Sequence, residues 1–299
     1  MSELEVGEFR ALAEGVYLEG LTYDFGRDVI WYSDVIAGGI HGVKPDGTPY
    51  ASFNQERMWT GGVMMNACGA VFSTGEGGIM WNDPDSGDAG WLLREIAGKP
   101  INGINEMWGD GEGGIYFGTN DIEYIIAAKD TRPSQVYRMT ADGAVSLMSD
   151  QTYFPNGIAM DPARKRFYAS DTFRTSWVWD VAPDHALVNQ RVFFEKNDCD
   201  GCAIEQNGNV LLTGFRSPGR IVRVSPDGEE LEPLLTPPGP TTQIRFGGAD
   251  LCDFYLVVAP PGGGDSLKEG KPLSGTSTLY RGRSAVPGVA CGAANFKLR

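Results

Sequence analysis

Histidine is nearly absent. His41 and His185 are the only two in 299 residues, and no G-x-S-x-G occurs, which argues against a Ser-His-Asp hydrolase. No apolar run approaches the length of a membrane span, so no membrane association is expected. Lys and Arg form no cluster, and 25 of them against 39 Asp and Glu leave a formal charge of −14. Nucleic acid is therefore not an expected partner. The acidity suits a cytosolic protein and is compatible with a cation site. Cysteine is sparse, five residues in an odd, scattered set, which argues against a disulfide framework and for a reducing, cytoplasmic compartment. The N-terminal decapeptide M-S-E-L-E-V-G-E-F-R is acidic and lacks the apolar core of a secretory signal. Long helical patterns are missing too. What abounds is glycine, 41 residues in short turn-like clusters, which favours an all-β chain.

One stretch organises the rest. Phe154 to Thr172 reads F-P-N-G-I-A-M-D-P-A-R-K-R-F-Y-A-S-D-T. A polar residue precedes a glycine, a short apolar run follows, and Asp161-Pro162 turns the chain into a second strand at Arg166–Ser170. Six such β-rich segments recur at Val29–Asp34, Gly69–Thr74, Gly114–Thr119, Arg166–Ser170, Asn209–Gly214 and Phe254–Ala259. Each is followed by a further strand-like run: Ile40–Val43, Ile79–Asn82, Gln135–Met139, Trp177–Asp180, Arg220–Val224 and Thr278–Arg281. A repeat of this length built from short strands predicts four-stranded blades in a six-bladed β-propeller.

Taking Glu19, Gly62, Asn105, Asn156, Asp200 and Gln243 as equivalent first-strand positions, the spacings are 43, 43, 51, 44 and 43. The longer gap is read as a loop near Ala127–Arg132. Phe9–Tyr17 is expected to return to the last blade and close the ring, and Pro260–Lys271 is read as a long loop within that blade. The whole chain, 1–299, is read as one such domain.

First strands line the central channel of a propeller, so the equivalent residues converge on its axis. Four of them are oxygen donors: Glu19, Asn105, Asn156 and Asp200. With no thiol or imidazole among them, the set suits Ca²⁺, and Mg²⁺ or Mn²⁺ less well. Two carboxylates would neutralise the ion.

These motifs resemble the family of regucalcin (senescence marker protein), gluconolactonase and diisopropyl fluorophosphatase, six-bladed propellers of calcium type. The resemblance runs over nearly the full length and is strongest from P-N-G-I-A-M-D through R-F-Y-A-S-D-T and V-W-D to D-G-C-A-I-E. It implies that Glu19, Asn156 and Asp200 bind a catalytic metal, with Asn105 a further ligand or a substrate contact. It also implies Ca²⁺ with Mn²⁺, Zn²⁺, Mg²⁺ or Fe²⁺ as substitutes. The implied reaction is opening of a lactone ring, with the metal as Lewis acid and a channel carboxylate as base. Asp200 is the first choice for that base and Glu106 the second. The family's N-D pair is N-E here, at Asn105-Glu106. Sugar-lactonase members carry an Arg two residues before that Asn, where this chain has Gly103. The pocket is thus expected to be roomier and more apolar, with Trp108, Phe173 and Phe215 as aromatic wall candidates that could equally serve packing.

The same ligand set would serve a phosphotriesterase-like hydrolase, and propellers also act as non-enzymatic calcium- or ligand-binding platforms. Three lesser signals read as turns or packing. G-x-G-x-x-G at Gly109, Gly111 and Gly114 precedes a strand and not a helix. D-P-D-S-G-D from Asp83 lacks the glycine and distal Glu of a calcium loop. Cys199 and Cys202 stand as a lone C-x-x-C, read as two small apolar residues flanking a turn. A small lactone or ester is the partner expected, and no oligomeric state is encoded in any motif.

Overall fold

The architecture is that of a six-bladed β-propeller in a computed structural model that describes residues 4–298. Met1–Glu3 of the acidic N-terminal decapeptide lie outside the described residues. Six four-stranded antiparallel sheets follow one another. Their inner strands are Leu18–Asp24, Val63–Met65, Gly103–Gly109, Pro155–Asp161, Cys199–Ile204 and Thr241–Gly247. Each inner strand contacts the next, and the sixth contacts the first, so the ring closes. Phe9–Gly15 pairs antiparallel with Ser277–Arg283 and supplies the outer strand of blade six. That is the closure expected from sequence, with the N-terminal strand completing the blade built from the C-terminal part of the chain.

Burial follows distance from the axis. The inner strand of blade four is buried at all seven positions, whereas the outer strand Leu187–Phe194 of the same blade alternates with exposed residues. Inner strands have a neighbouring blade on both faces, which is why they read as near-continuous apolar runs. The core is accordingly a set of slabs between blades, filled by large rings such as Trp31, Trp179, Tyr116 and Tyr168.

Local chemistry sets the hairpins. Asp161 accepts hydrogen bonds from the amides of Ala163 and Arg164, both at 3.0 Å, and pairs with the Arg164 guanidinium at 2.9 Å. Asp24 does the same for Gly26 and Arg27 in blade one. An aspartate side chain that accepts from amides just ahead of it fixes the turn. Asp110 closes the G-x-G-x-x-G segment in the same way, accepting from Glu112 and Gly114 at 2.8 Å. Asp83 makes the D-P-D-S-G-D hairpin, accepting from Asp85 and Ser86 at 2.9 Å.

Two expectations are corrected. The insertion before blade four carries a helix, α1 (Ile122–Ala128), capped by Asp121 accepting from the Tyr124 amide. A second helix, α2 (Gly263–Lys268), lies within the stretch expected to be a loop in blade six, and the two helices touch. Among the described residues no helix is long and apolar enough to cross a membrane.

The axial register also differs by one residue in blades two and six. In blade one Leu18 pairs with Asp34 but Leu21 with Tyr32, so two residues, Glu19 and Gly20, face one. The same bulge recurs at Asn105-Glu106, Asn156-Gly157 and Asp200-Gly201. Strand pairing resumes at Val63 in blade two and at Gln243-Ile244 in blade six. Gly61 and Thr242, not Gly62 and Gln243, therefore share the register of Asn156. An even period misplaces them because turns between blades vary by a residue.

Candidate functional site

The bulge makes two rings around the axis. The upper ring is Glu19, Gly61, Asn105, Asn156, Asp200 and Thr242. Gly61 has no side chain, and the Thr242 hydroxyl donates to the Leu18 carbonyl at 3.1 Å. The four oxygen donors expected from sequence thus remain the four available, and all four line one pocket. Threonine hydroxyls clip the blades together here: Thr74 donates to the Asn105 carbonyl at 2.6 Å and Thr172 to that of Cys199 at 2.8 Å.

Approach to the ring is fixed by buried aspartates. Asp34 accepts from the amides of Val16 at 2.7 Å and Tyr17 at 3.3 Å, just ahead of Glu19. Asp171 accepts from those of Tyr153 at 3.0 Å and Phe154 at 2.6 Å, just ahead of Asn156. In blade five the carboxylate sits on the entering segment itself. Asp198 receives Lys196 at 2.5 Å and Ser217 at 2.7 Å, two residues before Asp200. A side chain that satisfies buried amides holds the strand entrance at one height on the axis.

The electrostatics of the ring are unbalanced. Burial pushes the Glu19 carboxyl well above its usual range, and repulsion from Asp200 and then Glu106 adds to it. Burial likewise raises Asp200, against the lowering pull of the Asn156 amide. That amide donates through Nδ2 to Asp200 Oδ1 at 2.6 Å. Asn156 Oδ1 is buried and has no hydrogen-bond partner. Asn105 is half-buried at the same level. Two mutually repelling carboxylates beside an orphaned amide oxygen match the donor set of a hard divalent cation. Among the described residues no three His, Cys, Asp or Glu side chains gather into a metal-binding group, so a cation here would have to draw on the amide oxygens.

The lower ring is Gly20, Gly62, Glu106, Gly157, Gly201 and Gln243, and it blocks the channel. A Cβ on Gly62 would collide with Glu106 Oε1, and one on Gly201 with Gln243 Oε1. Four glycines leave the axis to two side chains. Glu106 Oε2 accepts from Arg245 Nη2 at 2.7 Å and from Gln243 Nε2 at 2.6 Å, and all three residues are buried. Arg245 Nη1 also donates to Gln243 Oε1 at 2.7 Å and to the Cys202 carbonyl at 2.8 Å. Glu106 does not line the pocket. Its position below the ring follows from the bulge, which turns the second residue of the pair away from the first.

Trp108 does not line the pocket either. It is buried among the blade three and four side chains, with the Arg245 guanidinium 5.0 Å from its ring. It lies three positions further down the inner strand, below the lower ring. Phe173 and Phe215 do line the pocket. Phe173 stacks on Phe154 at 6.2 Å and meets Phe215 edge-on at 5.5 Å. Sequence reasoning missed Tyr17, Phe154, Trp59 and the lid residues Ile125 and Leu267. Tyr17 and Phe154 each stand two residues before an axial donor, so the repeat itself could have found them. Tyr17 is buried beside Glu19 and Asp200; burial first, then those two charges, raises its pKa, and the phenol stays protonated. Cys199 and Cys202 are free and buried, flanking Asp200-Gly201 as a packing pair.

Residues 18–260 match the SMP-30/gluconolactonase/LRE-like region. The chain is 26% identical to 6-deoxy-6-sulfogluconolactonase of Pseudomonas putida over 88% of its own length and 90% of that protein. It is 25% identical to a pentonolactonase of Haloferax volcanii, over 88% and 89%. Among solved structures, a luciferin-regenerating enzyme superposes with a TM-score of 0.81 at 19% identity, covering 96% of this chain and 99% of that one. A calcium-binding regucalcin from Agrobacterium tumefaciens superposes with a TM-score of 0.76 at 16% identity, covering 99% and 98%. The repeat, the closed ring of inner strands and this match over most of the length together place the chain in the SMP-30/gluconolactonase/LRE-like family.

Proposed function

We propose that the protein is a metal-dependent lactonase whose reaction takes place at the upper ring. The observation that carries this reading is the pairing of two buried, mutually repelling carboxylates, Glu19 and Asp200, with the orphaned Oδ1 of Asn156 at the base of a pocket. The relatives named as lactonases support the reaction class.

Glu19, Asn105, Asn156 and Asp200 would hold one divalent cation, Ca²⁺ being the best match to an all-oxygen set. Bound there, it would polarise a lactone carbonyl as a Lewis acid. The chain supplies the rest. Asn156 holds Asp200 Oδ1, which leaves Oδ2 as the atom assigned to take a proton from the attacking water. Burial raises the proton affinity of Asp200, and a neighbouring cation lowers it; the balance sets the working range of the base. The water oxygen bonds to the carbonyl carbon as its proton passes to Asp200, the ring C–O bond breaks, and Asp200 returns that proton to the departing alkoxide, giving the hydroxy acid. The Phe154, Phe173 and Phe215 wall keeps bulk water from the ring. Glu106 is assigned a positioning role: its carboxylate is engaged by Arg245 and Gln243 beneath Asn105.

The test is lactone hydrolysis by chelator-stripped protein, then after adding back Ca²⁺, Mn²⁺, Zn²⁺, Mg²⁺ or Fe²⁺, with Asp200→Asn alongside. Turnover that returns with the ion and is lost in the variant is the expected outcome. Phosphotriester turnover without lactone turnover, or metal-independent activity, would overturn the reading.

A further inference from the structure

The pocket above the ring is built for a particular kind of lactone. One wall is Phe154, Phe173 and Phe215; the lid brings Ile122 and Ile125 from α1 and Leu267 from α2. Trp59 and Phe173 both have left-handed backbones, with φ of 56° and 73°, and both line the pocket. Bulky aromatic residues rarely adopt this region, and such strain is found where the side chain must be aimed.

Polar side chains above the ring are few beside the apolar ones: Tyr17, Trp59, Glu76 and Asn120 line the pocket with Lys268. The Thr172 hydroxyl is committed to the Cys199 carbonyl. No side chain rises from the strand two residues before Asn105, because Gly103 stands there and a Cβ would collide with Asn120 Oδ1. A polyhydroxylated ring would set hydroxyls against Phe154, Phe173, Phe215, Ile125 and Leu267, which offer them no partner, and this disfavours its binding.

Two cations overlook this apolar wall: Arg216, 4.9 Å from the centre of the Phe215 ring and paired with Asp265, and Lys268. Lys268, half-buried in α2, lines the pocket and places Nζ 4.2 Å from the centre of the Phe173 ring. The acidic residues around it are already paired: Asp265 with Arg216 at 2.5 Å and Glu269 with Lys271 at 2.5 Å. Among the described residues no carboxylate pairs with Lys268. The pocket's remaining charged residues are Glu19 and Asp200 at the base and Glu76, which is exposed.

We propose that the substrate is a lactone with an apolar, aromatic or similarly flat body and an anionic substituent away from the ester, the body lying on Phe173 and Phe215 under Ile125 and Leu267, the anion meeting Lys268. This rests on the lactonase reading for the ester and on the pocket walls for the rest. Dihydrocoumarin, a dihydrocoumarin bearing a carboxylate on its benzene ring distal to the ester, and gluconolactone are compared as substrates of the Ca²⁺-loaded protein. The lactam analogues of the two aromatic lactones are titrated by calorimetry into the metal-free protein, wild type and Lys268→Met. The expected order of kcat/KM is carboxylated above uncharged by about tenfold, with gluconolactone lowest. Lys268→Met should cut the preference for the carboxylated lactam over the uncharged one by about tenfold. Gluconolactone turnover equal to or above the aromatic lactones overturns this substrate class while the lactonase reading stands. An unchanged lactam preference in Lys268→Met overturns the anion's placement and so the proposal. If no lactone is hydrolysed, the lactonase reading falls, and the lactam titrations still decide the pocket's preference.

Discussion

Asn156 Nδ2 donates to Asp200 Oδ1 at 2.6 Å, and its own Oδ1 is buried with no partner. The amide is thereby oriented: its donor end is engaged and its acceptor end is left free. Asn156→Ala should weaken Ca²⁺ binding by about tenfold or more, read by calorimetric titration. Unchanged affinity would remove Asn156 from the cation's ligands.

Repulsion between Glu19 and Asp200 makes a prediction of opposite sign with and without metal. Asp200→Asn should raise the melting temperature of the chelated protein by about 2–4 °C, because one buried charge is gone. It should lower the melting temperature in excess Ca²⁺ below that of wild type under the same conditions. Destabilisation in both states would contradict the strained carboxylate pair.

The pH dependence follows from the same shifts. Both carboxyls have folded-state pKa values raised above their unfolded ones, so the folded state binds more protons. The metal-free protein therefore carries no penalty below the ordinary carboxyl range, about pH 4, and loses stability as pH rises through the raised values. A bound cation offsets that loss. Adding chelator should lower the melting temperature more at pH 8 than at pH 5.5. An equal drop at both would sink the claim.

Beneath the ring, Arg245→Met would strand the buried Glu106 carboxylate. The expected cost is about 3–5 kcal/mol, measured by urea unfolding. The Arg245→Met/Glu106→Gln pair should recover most of it, since no buried charge remains. Equal costs for the single and double variants would mean that packing against Trp108, and not charge, sets the role of Arg245.

Gly157→Ala tests the lower ring of glycines. The added Cβ would meet backbone atoms of blade five, the Gly201 carbonyl carbon and the Cys202 amide among them, which cannot turn aside as a side chain can. A loss of about 1–3 kcal/mol is expected, together with weaker Ca²⁺ binding because Asp200 is displaced. Wild-type stability in the variant would refute the close approach.

The repeat and its oxygen donors were legible in the chain. Glu19, Asn105, Asn156 and Asp200 each sit at the entrance of a hairpin whose strands, turn aspartate and apolar run are contiguous, so local patterning alone places them at one height. The exchange of Gly62 for Gly61 and Gln243 for Thr242 shows where that reasoning stops. A bulge is defined by strand pairing, which a count of residues does not contain. The fate of Glu106 was less legible still, because its partner Arg245 lies 139 residues away and only closing the ring brings them together. Trp108 read as an aromatic near a ligand and proved to be core, since three residues along an inner strand carry a side chain below the plug. The lid was hidden for a like reason: α1 and α2 are short, belong to different blades, and become one cover only when blades three and six share an axis. Thus the amino-acid order by itself determined the blades and the chemistry of the upper ring, which depend on contacts within some twenty residues. Tertiary structure decided which carboxylates face the pocket, which are buried in pairs and what roofs the site, because those outcomes depend on side chains that meet across the propeller axis.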